Sequence, residues 1–196
     1  MTDTLKLQAF TKQKTGKGAS RNVREQQQIP AVMYGSGLEP AMLSVKFNEF
    51  IKEYQKGGIK TRLAQLHIDG QDVSAIVKEV QTHPVTDFPI HIDFLRVGED
   101  TVVRVDLAIH LVNEDKAPGL KKGGIANIVN RKVQFWCHPA HIPHHVEVDM
   151  NEIEIGDVIH IGDVKLPEGV RPVDKSNFTV VTVIGRAEEV AAEAGA

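Results

Sequence analysis

Cysteine is almost absent. Cys137 is the only one in 196 residues, which excludes an intrachain disulfide and removes any argument for an oxidising compartment. No run approaches the roughly 18 apolar residues of a bilayer-spanning helix. The opening Met1-Thr2-Asp3-Thr4-Leu5-Lys6 also lacks the basic-then-apolar order of an export signal. These absences predict a cytoplasmic protein with no membrane partner. Catalytic signatures are missing as well. No Gly-x-Ser-x-Gly elbow occurs. Lys17 is followed by Gly18 rather than by the Ser or Thr that would hold magnesium, and no earlier glycine stands at the distance a phosphate-cradling loop requires. The expectation is a protein that is not an enzyme and carries no cofactor.

Apolar residues make up 41% and charged residues 25% of the chain, enough for real cores, and the length accommodates two domains of about 100 residues. The net charge of −3 conceals a division. Residues 1–97 hold 13 Lys/Arg against 10 Asp/Glu, a net of +3, whereas residues 98–196 hold 10 against 16, a net of −6. Within residues 1–24 six cations (Lys6, Lys12, Lys14, Lys17, Arg21, Arg24) face one acid (Asp3). Such a segment attracts a polyanion, although lysines on a solvated loop also serve solubility alone.

The first half reads as short strands with two short helices. Residues 5–10 alternate loosely. Ser20 is expected to cap a brief helix running to Gln27, with Pro30 marking its end. Residues 31–34 and 42–45 are strand-like, and a helix is expected to start near Asn48 and stop at Gly57-Gly58. The Asp69-Gly70 pair between apolar alternating segments 63–68 and 73–80 predicts a hairpin, because both residues tolerate the positive φ of a tight turn. In the strand over 90–97, Ile90, Ile92 and Phe94 share one face while His91, Asp93 and Leu95 share the other.

Charge changes sign at Gly98-Glu99-Asp100, where a domain boundary is expected. Beyond it Val103, Val105, Leu107, Ile109 and Leu111 alternate with more polar residues, a strand buried on one side. Strand signals recur at 129–137, 146–148, 158–161 and 178–184, separated by glycine and proline. No ten-residue helical pattern intervenes, which disfavours a parallel sheet of alternating strands and helices and predicts an all-β second domain. The division expected is therefore 1–97, 98–186 and an Ala/Glu-rich mobile acidic tail over 187–196.

Two clusters offer chemistry. Cys137-His138-Pro139-Ala140-His141-Ile142-Pro143-His144-His145 brings one thiol and four imidazoles into nine residues. Zinc could take four such ligands, which keeps a metal-dependent enzyme as an alternative. Against it, Pro139 and Pro143 stiffen the path and a histidine-rich surface loop accounts for the same residues, so no metal is expected. The other cluster is basic and amide-rich. Arg21 and Arg24, three apart, share a helix face and can reach one phosphate ridge. Gln81, His91, Asp93 and Tyr34 add neutral donors, acceptors and flat rings of the kind that reads RNA base edges and ribose hydroxyls. His91 and Asp93 read equally well as a structural pair on an exposed sheet.

At these residues the chain resembles a known family. Gly16-Lys17-Gly18-Ala19-Ser20-Arg21, Ile29-Pro30-Ala31-Val32-Met33-Tyr34-Gly35, Val80-Gln81-Thr82-His83-Pro84 and His91-Ile92-Asp93-Phe94 occur in the order seen in the bacterial large-subunit ribosomal protein L-twenty-five family, which binds 5S rRNA. Beyond Gly98, the segments Ala117-Pro118-Gly119, Gly123-Gly124, Ile142-Pro143 and Glu154-Ile155-Gly156-Asp157 are similar to the added domain of its long form, general stress protein CTC. The resemblance implies a mainly β protein: a small N-terminal β-barrel with short flanking helices, docked on the irregular loop E helix of 5S rRNA, and a second β-rich domain. It implies RNA contacts from Lys12, Lys17, Ser20, Arg21, Arg24, Tyr34, Gln81, His91 and Asp93. The partners it implies are 5S rRNA, large-subunit proteins and other rRNA, with no DNA and a monomer off the ribosome. A stress-related protein-interaction module is the remaining alternative.

Overall fold

The computed structural model describes residues 4–12, 16–98, 101–167 and 169–185, with the side chain of residue 140 left undescribed. The chain divides into two compact units, Met1–Val105 with Trp136–His144, and Asp106–Phe135 with His145–Ala196. The expected mobile tail over 187–196 lies outside the described residues, as do Lys14 and Thr15.

Alternation builds the first strand, β1 (Leu5–Thr11), which buries Leu5, Leu7 and Ala9 and exposes the residues between them. Helix α1 (Lys17–Glu25) follows. It begins before the expected cap. Gly16, at φ 108°, is the N-cap residue and no side chain caps the helix. A side chain would resist that backbone angle, so the glycine makes the sharp entry possible. Ser20 therefore lies inside α1, half-buried with Ala19 and Val23. The helix also ends earlier than expected, at Glu25, with Gln27 in the left-handed region (φ 56°). Pro30 does not terminate it; Pro30 sits inside β2 (Gln28–Gly35), one residue before the β2–β6 pairing starts at Ala31↔Ile92, where its missing N–H interrupts no ladder.

Next come β3 (Leu38–Lys46) and α2 (Phe47–Gln55), in which Asn48 is the second residue rather than the cap. The helix stops just before Gly57-Gly58, as expected. Strands β4 (Leu63–Ile68) and β5 (Gln71–Thr82) form the expected hairpin with positive φ at both Asp69 and Gly70. Strand β6 (Pro89–Arg96) completes a closed barrel of order β1-β3-β2-β6-β5-β4. Closure needs two parallel pairs, β1 with β4 and β2 with β6, made between strands remote in the chain. It leaves no unpaired edge. The interior is filled by Leu5, Ile29, Met33, Leu43, Leu66, Ile92 and Phe94, and Phe50 of α2 joins them.

The remaining strands are β7 (Val103–Val112), β8 (Ile125–Ile128), β9 (Lys132–Cys137), β10 (His145–Asp149), β11 (Val158–His160), β12 (Arg171–Pro172) and β13 (Thr179–Ile184). They form a four-stranded sheet β10-β7-β9-β12 and a three-stranded sheet β11-β13-β8. β7 buries Val103, Val105, Leu107 and Ile109 in strict alternation. The strand expected over 129–137 begins only at Lys132, as β9: residues 129–131 turn the chain between β8 and β9, and the Asn130 side-chain amide donates to the Thr179 carbonyl at 2.8 Å. β7 and β10 run parallel, although no strand-helix-strand alternation announces it. Helix α3 (Pro118–Lys121) is a single turn.

Candidate nucleic-acid interface

Three adjacent barrel strands, β2, β6 and β5, carry the sheet-borne residues singled out above. Ile92 and Phe94 of β6 face the core, so His91 and Asp93 face outward. The register then selects their neighbours. Val32 lies opposite Asp93, which puts Tyr34 one outward position along β2. Across the other ladder Gln81 lies opposite His91 and Glu79 opposite Asp93. A bulge between Val77 and Glu79 makes this possible. Strict alternation from buried Val77 would turn Glu79 and Gln81 inward. The extra residue, Lys78, shifts the phase so that Val80 points to the core while Glu79 and Gln81 join the outer face.

His91 Nδ1 stands 2.8 Å from Asp93 Oδ1, with the two side chains 31% and 24% exposed. The contact is out of line for a hydrogen bond, and Nδ1 is buried with no hydrogen-bond partner, so the pair is held by proximity of charge and dipole. Burial pushes the Tyr34 hydroxyl above its ordinary range, and the nearby carboxylates of Asp93 and Glu79 push it the same way. The phenol therefore keeps its proton at neutral pH and is a donor. Tyr34 leads into Gly35, whose φ of 114° and close approach to β6 exclude a side chain: an added Cβ would lie 3.0 Å from the Arg96 carbonyl oxygen. Backbone geometry at Gly35 thus fixes the entry of Tyr34 onto this face.

Cations come from α1, which packs on β2. Lys17 and Arg21 are exposed, Arg21 in a surface pair with Glu25 at 3.2 Å. Such a pair contributes under about 1 kcal/mol and yields readily to a phosphate. Arg24 does something the sequence did not announce: its Nε and Nη2 donate to the Ile90 carbonyl at 3.2 and 3.0 Å, pinning α1 to the start of β6 beside His91. The helix and the sheet face are thereby joined. Lys12 is placed apart. It follows β1, which is separated from β6 by two strands in either direction around the barrel, and its backbone N–H donates to the Met42 carbonyl.

The arrangement divides labour. Two carboxylates on the sheet face, Glu79 and Asp93, repel phosphate but accept hydrogen bonds from amino groups and hydroxyls; the helix supplies the positive charge. Glu79 was missed in the sequence. Its signal was the pair of successive polar residues Lys78-Glu79 inside an otherwise alternating strand, the mark of a bulge.

Comparison with known proteins bears on this surface. Residues 7–94 match the family model described as the Ribosomal L25p family, and residues 102–187 match Ribosomal protein TL5, C-terminal domain. A large ribosomal subunit protein bL25 of Mesorhizobium japonicum is 41% identical over 184 residues, covering 93% of this chain and 86% of its own. The chain belongs to the ribosomal L25p family. The bL25 of Rhodospirillum rubrum is 42% identical over 198 residues, covering 98% of this chain and 94% of its own; that of Brucella canis is 41% identical over 184 residues, covering 93% and 89%. With both family models matched in order, this L25p member is of the long, two-domain form. The family is one of structural ribosomal proteins, not of enzymes.

For an L25p protein the thiol and imidazole cluster needs another account. Cys137 is fully buried, and loss of hydration pushes its thiol up to about 11, so the metal-binding thiolate is suppressed. The His138 and His141 rings tilt at 6.2 Å, while His145 stacks on His110 at 4.5 Å. Among the described residues no three His, Cys, Asp or Glu side chains converge as metal ligands. Cys137 packs as a small apolar residue at the end of β9. An alkylating maleimide is expected to leave it untouched in the folded protein at pH 8 and to modify it fully in denaturant; fast labelling of the native protein would refute the buried assignment.

Proposed function

We propose that this chain is a non-enzymatic constituent of the bacterial large ribosomal subunit, working on the ribosome in the cytoplasm, and that it binds 5S rRNA at its loop E helix. Residues 1–97 form the RNA-binding domain and residues 98–186 a second domain that faces protein or solvent, since its 10 Lys/Arg against 13 Asp/Glu, a net of −3, disfavour phosphate. The observation that supports this reading best is the union of a cationic helix with the outward face bearing Tyr34, Gln81, His91 and Asp93, joined by the Arg24 bond to Ile90.

Lys17 and Arg21 draw the phosphate backbone and set the register. Arg24 gives part of its donor set to Ile90, leaving three of its five N–H groups for the RNA. Ser20, half-buried within α1, adds a hydroxyl to the set. The sheet face then reads base edges and ribose hydroxyls in a widened, irregular groove, where Tyr34 donates, Asp93 accepts and Gln81 does both. Lys12 contributes at longer range through charge. The test is an electrophoretic shift of the full chain with 5S rRNA, using a 5S rRNA whose loop E is replaced by regular Watson–Crick pairs as control. A shift with the native RNA and a strongly weakened one with the control is expected. Equal affinity for both would remove loop E from the proposal, and no shift at all would remove 5S rRNA.

A further inference from the structure

A second recognition element lies beside this face. Between the α1–β2 joint, the start of α2 and the β5–β6 loop is an open cleft of about 400 Å³, lined among others by Arg24, Gln28, Phe47, Asn48, His83 and Phe88. That volume is in the range of pockets that seat a small ligand. Its wall is aromatic. Phe88 is 51% exposed, and the Phe47 ring braces it edge-on at a centroid distance of 5.5 Å and an interplanar angle of 89°. An isolated apolar ring on a loop needs no explanation. This ring differs in being held in place.

The loop that presents Phe88 is closed by four hydrogen bonds. The His83 N–H donates to the Phe88 carbonyl and the Asp87 N–H to the His83 carbonyl, each at 2.9 Å. The Val85 and Thr86 N–H groups donate to His83 Nδ1 at 3.3 and 3.4 Å. Because Nδ1 accepts, the proton of the neutral ring sits on Nε2 and remains available as a donor. Gln28 and Asn48, whose side-chain amides are each both donor and acceptor, also line the cleft. At its edge is Arg24, the same guanidinium that joins α1 to the sheet face. A flat apolar surface, neutral edge-reading groups and one cation next to a basic helix match the chemistry of a nucleotide: a ring to stack, an edge to bond, a phosphate to neutralise.

We propose that the cleft between Phe88, His83 and Arg24 takes a single unstacked nucleobase of the RNA bound on the adjoining face. The inference rests on the RNA-binding reading above. The base lies against the Phe88 ring, its edge meets the Gln28 and Asn48 amides and His83 Nε2–H, and its phosphate meets Arg24. The pre-set loop means that little ordering accompanies capture.

The test uses the full chain and 5S rRNA, with affinity measured over a salt series and the base edges of the RNA probed chemically in the complex. Phe88→Ala is expected to weaken binding about 5- to 150-fold, the range for losing one base–aromatic stack. The salt slope should stay unchanged, and one nucleotide protected by the wild-type chain should become reactive. Phe88→Tyr should restore binding. Phe88→Leu, which keeps an apolar brace for Phe47 but no flat face, should bind like Phe88→Ala while melting like the wild type. If the wild-type chain does not bind 5S rRNA, both readings fall. If it binds and Phe88→Ala changes neither affinity nor reactivity, this one alone is overturned. A Phe88→Ala chain that binds 5S rRNA normally but fails to enter large subunits would assign the cleft to a protein neighbour and also overturn it.

Discussion

Replacing Lys17 and Arg21 together by alanine is expected to weaken 5S rRNA binding about 30-fold at ~0.15 M salt and to flatten the dependence of log affinity on log salt by about 1.8. Each neutralised phosphate releases close to one counterion, and at that salt each release is worth about fivefold in affinity. Both side chains are exposed on α1, so their loss costs the fold little. Removing Arg21 also frees Glu25, now unpaired near the phosphates, which adds repulsion. The counter-experiment is His91→Ala. It removes an edge-reading ring and no formal charge, and should weaken binding while leaving the slope nearly where it was. Filter binding over a salt series distinguishes the two. If both variants change the slope equally, helix and sheet do not divide the work as argued.

The largest effect expected on stability lies in the other unit, at Gly119. Its amide donates to the Ile153 carbonyl at 2.9 Å, and a Cβ added there would lie 2.7 Å from the Glu154 carbonyl carbon and 2.9 Å from the Ile155 nitrogen. Those neighbours are backbone, not flexible side-chain ends. They are also held: the Glu154 N–H donates to Asp157 Oδ2 at 2.7 Å, and the Gly156 N–H to the Val183 carbonyl at 2.8 Å. Gly124 repeats the constraint, since a Cβ on it would meet the Gly119 carbonyl oxygen at 2.7 Å. Gly119→Ala is therefore expected to destabilise this unit by about 2–3 kcal/mol, the upper range for forcing extra atoms into a packed site. For a unit of this size that lowers its melting temperature by roughly 8–20 °C. Hydrogen exchange should show β8 and β13 losing protection while β2 and β6 keep theirs. A melting temperature within a degree of wild type would mean that the 153–155 backbone yields, contrary to the geometry.

The same contact shows what kind of information a linear motif holds. Ala117-Pro118-Gly119, Gly123-Gly124 and Glu154-Ile155-Gly156-Asp157 stand apart in the sequence, and as separate strings they carry only a likeness. In the structure they are one packing site, where two glycines let a helical turn rest on another segment's backbone. Helix ends were less legible. Ser20 had the right chemistry for a cap, yet the chain enters α1 through Gly16, because a positive φ there starts the helix before any side-chain oxygen is needed. Pro30 had the look of a helix stop, but a strand accepts proline where one side of its ladder has not yet begun.

Read alone, the sequence determined the mainly β character, the hairpin at Asp69-Gly70, the inward and outward faces of β6 and β7, and the unequal charge of the two halves. These are local: each depends on side-chain alternation, turn chemistry or composition within a few residues. Which outward residues meet was decided only by tertiary structure. Tyr34 lies near enough to Asp93 to feel its charge because barrel closure pairs β2 with β6 in parallel, and Glu79 joins them because a bulge at Lys78 shifts the phase of β5. Arg24 is drawn to Ile90 by the packing of α1 on the barrel. Register between remote strands is set by the closure of the whole sheet around its core, and no short stretch of chain encodes it.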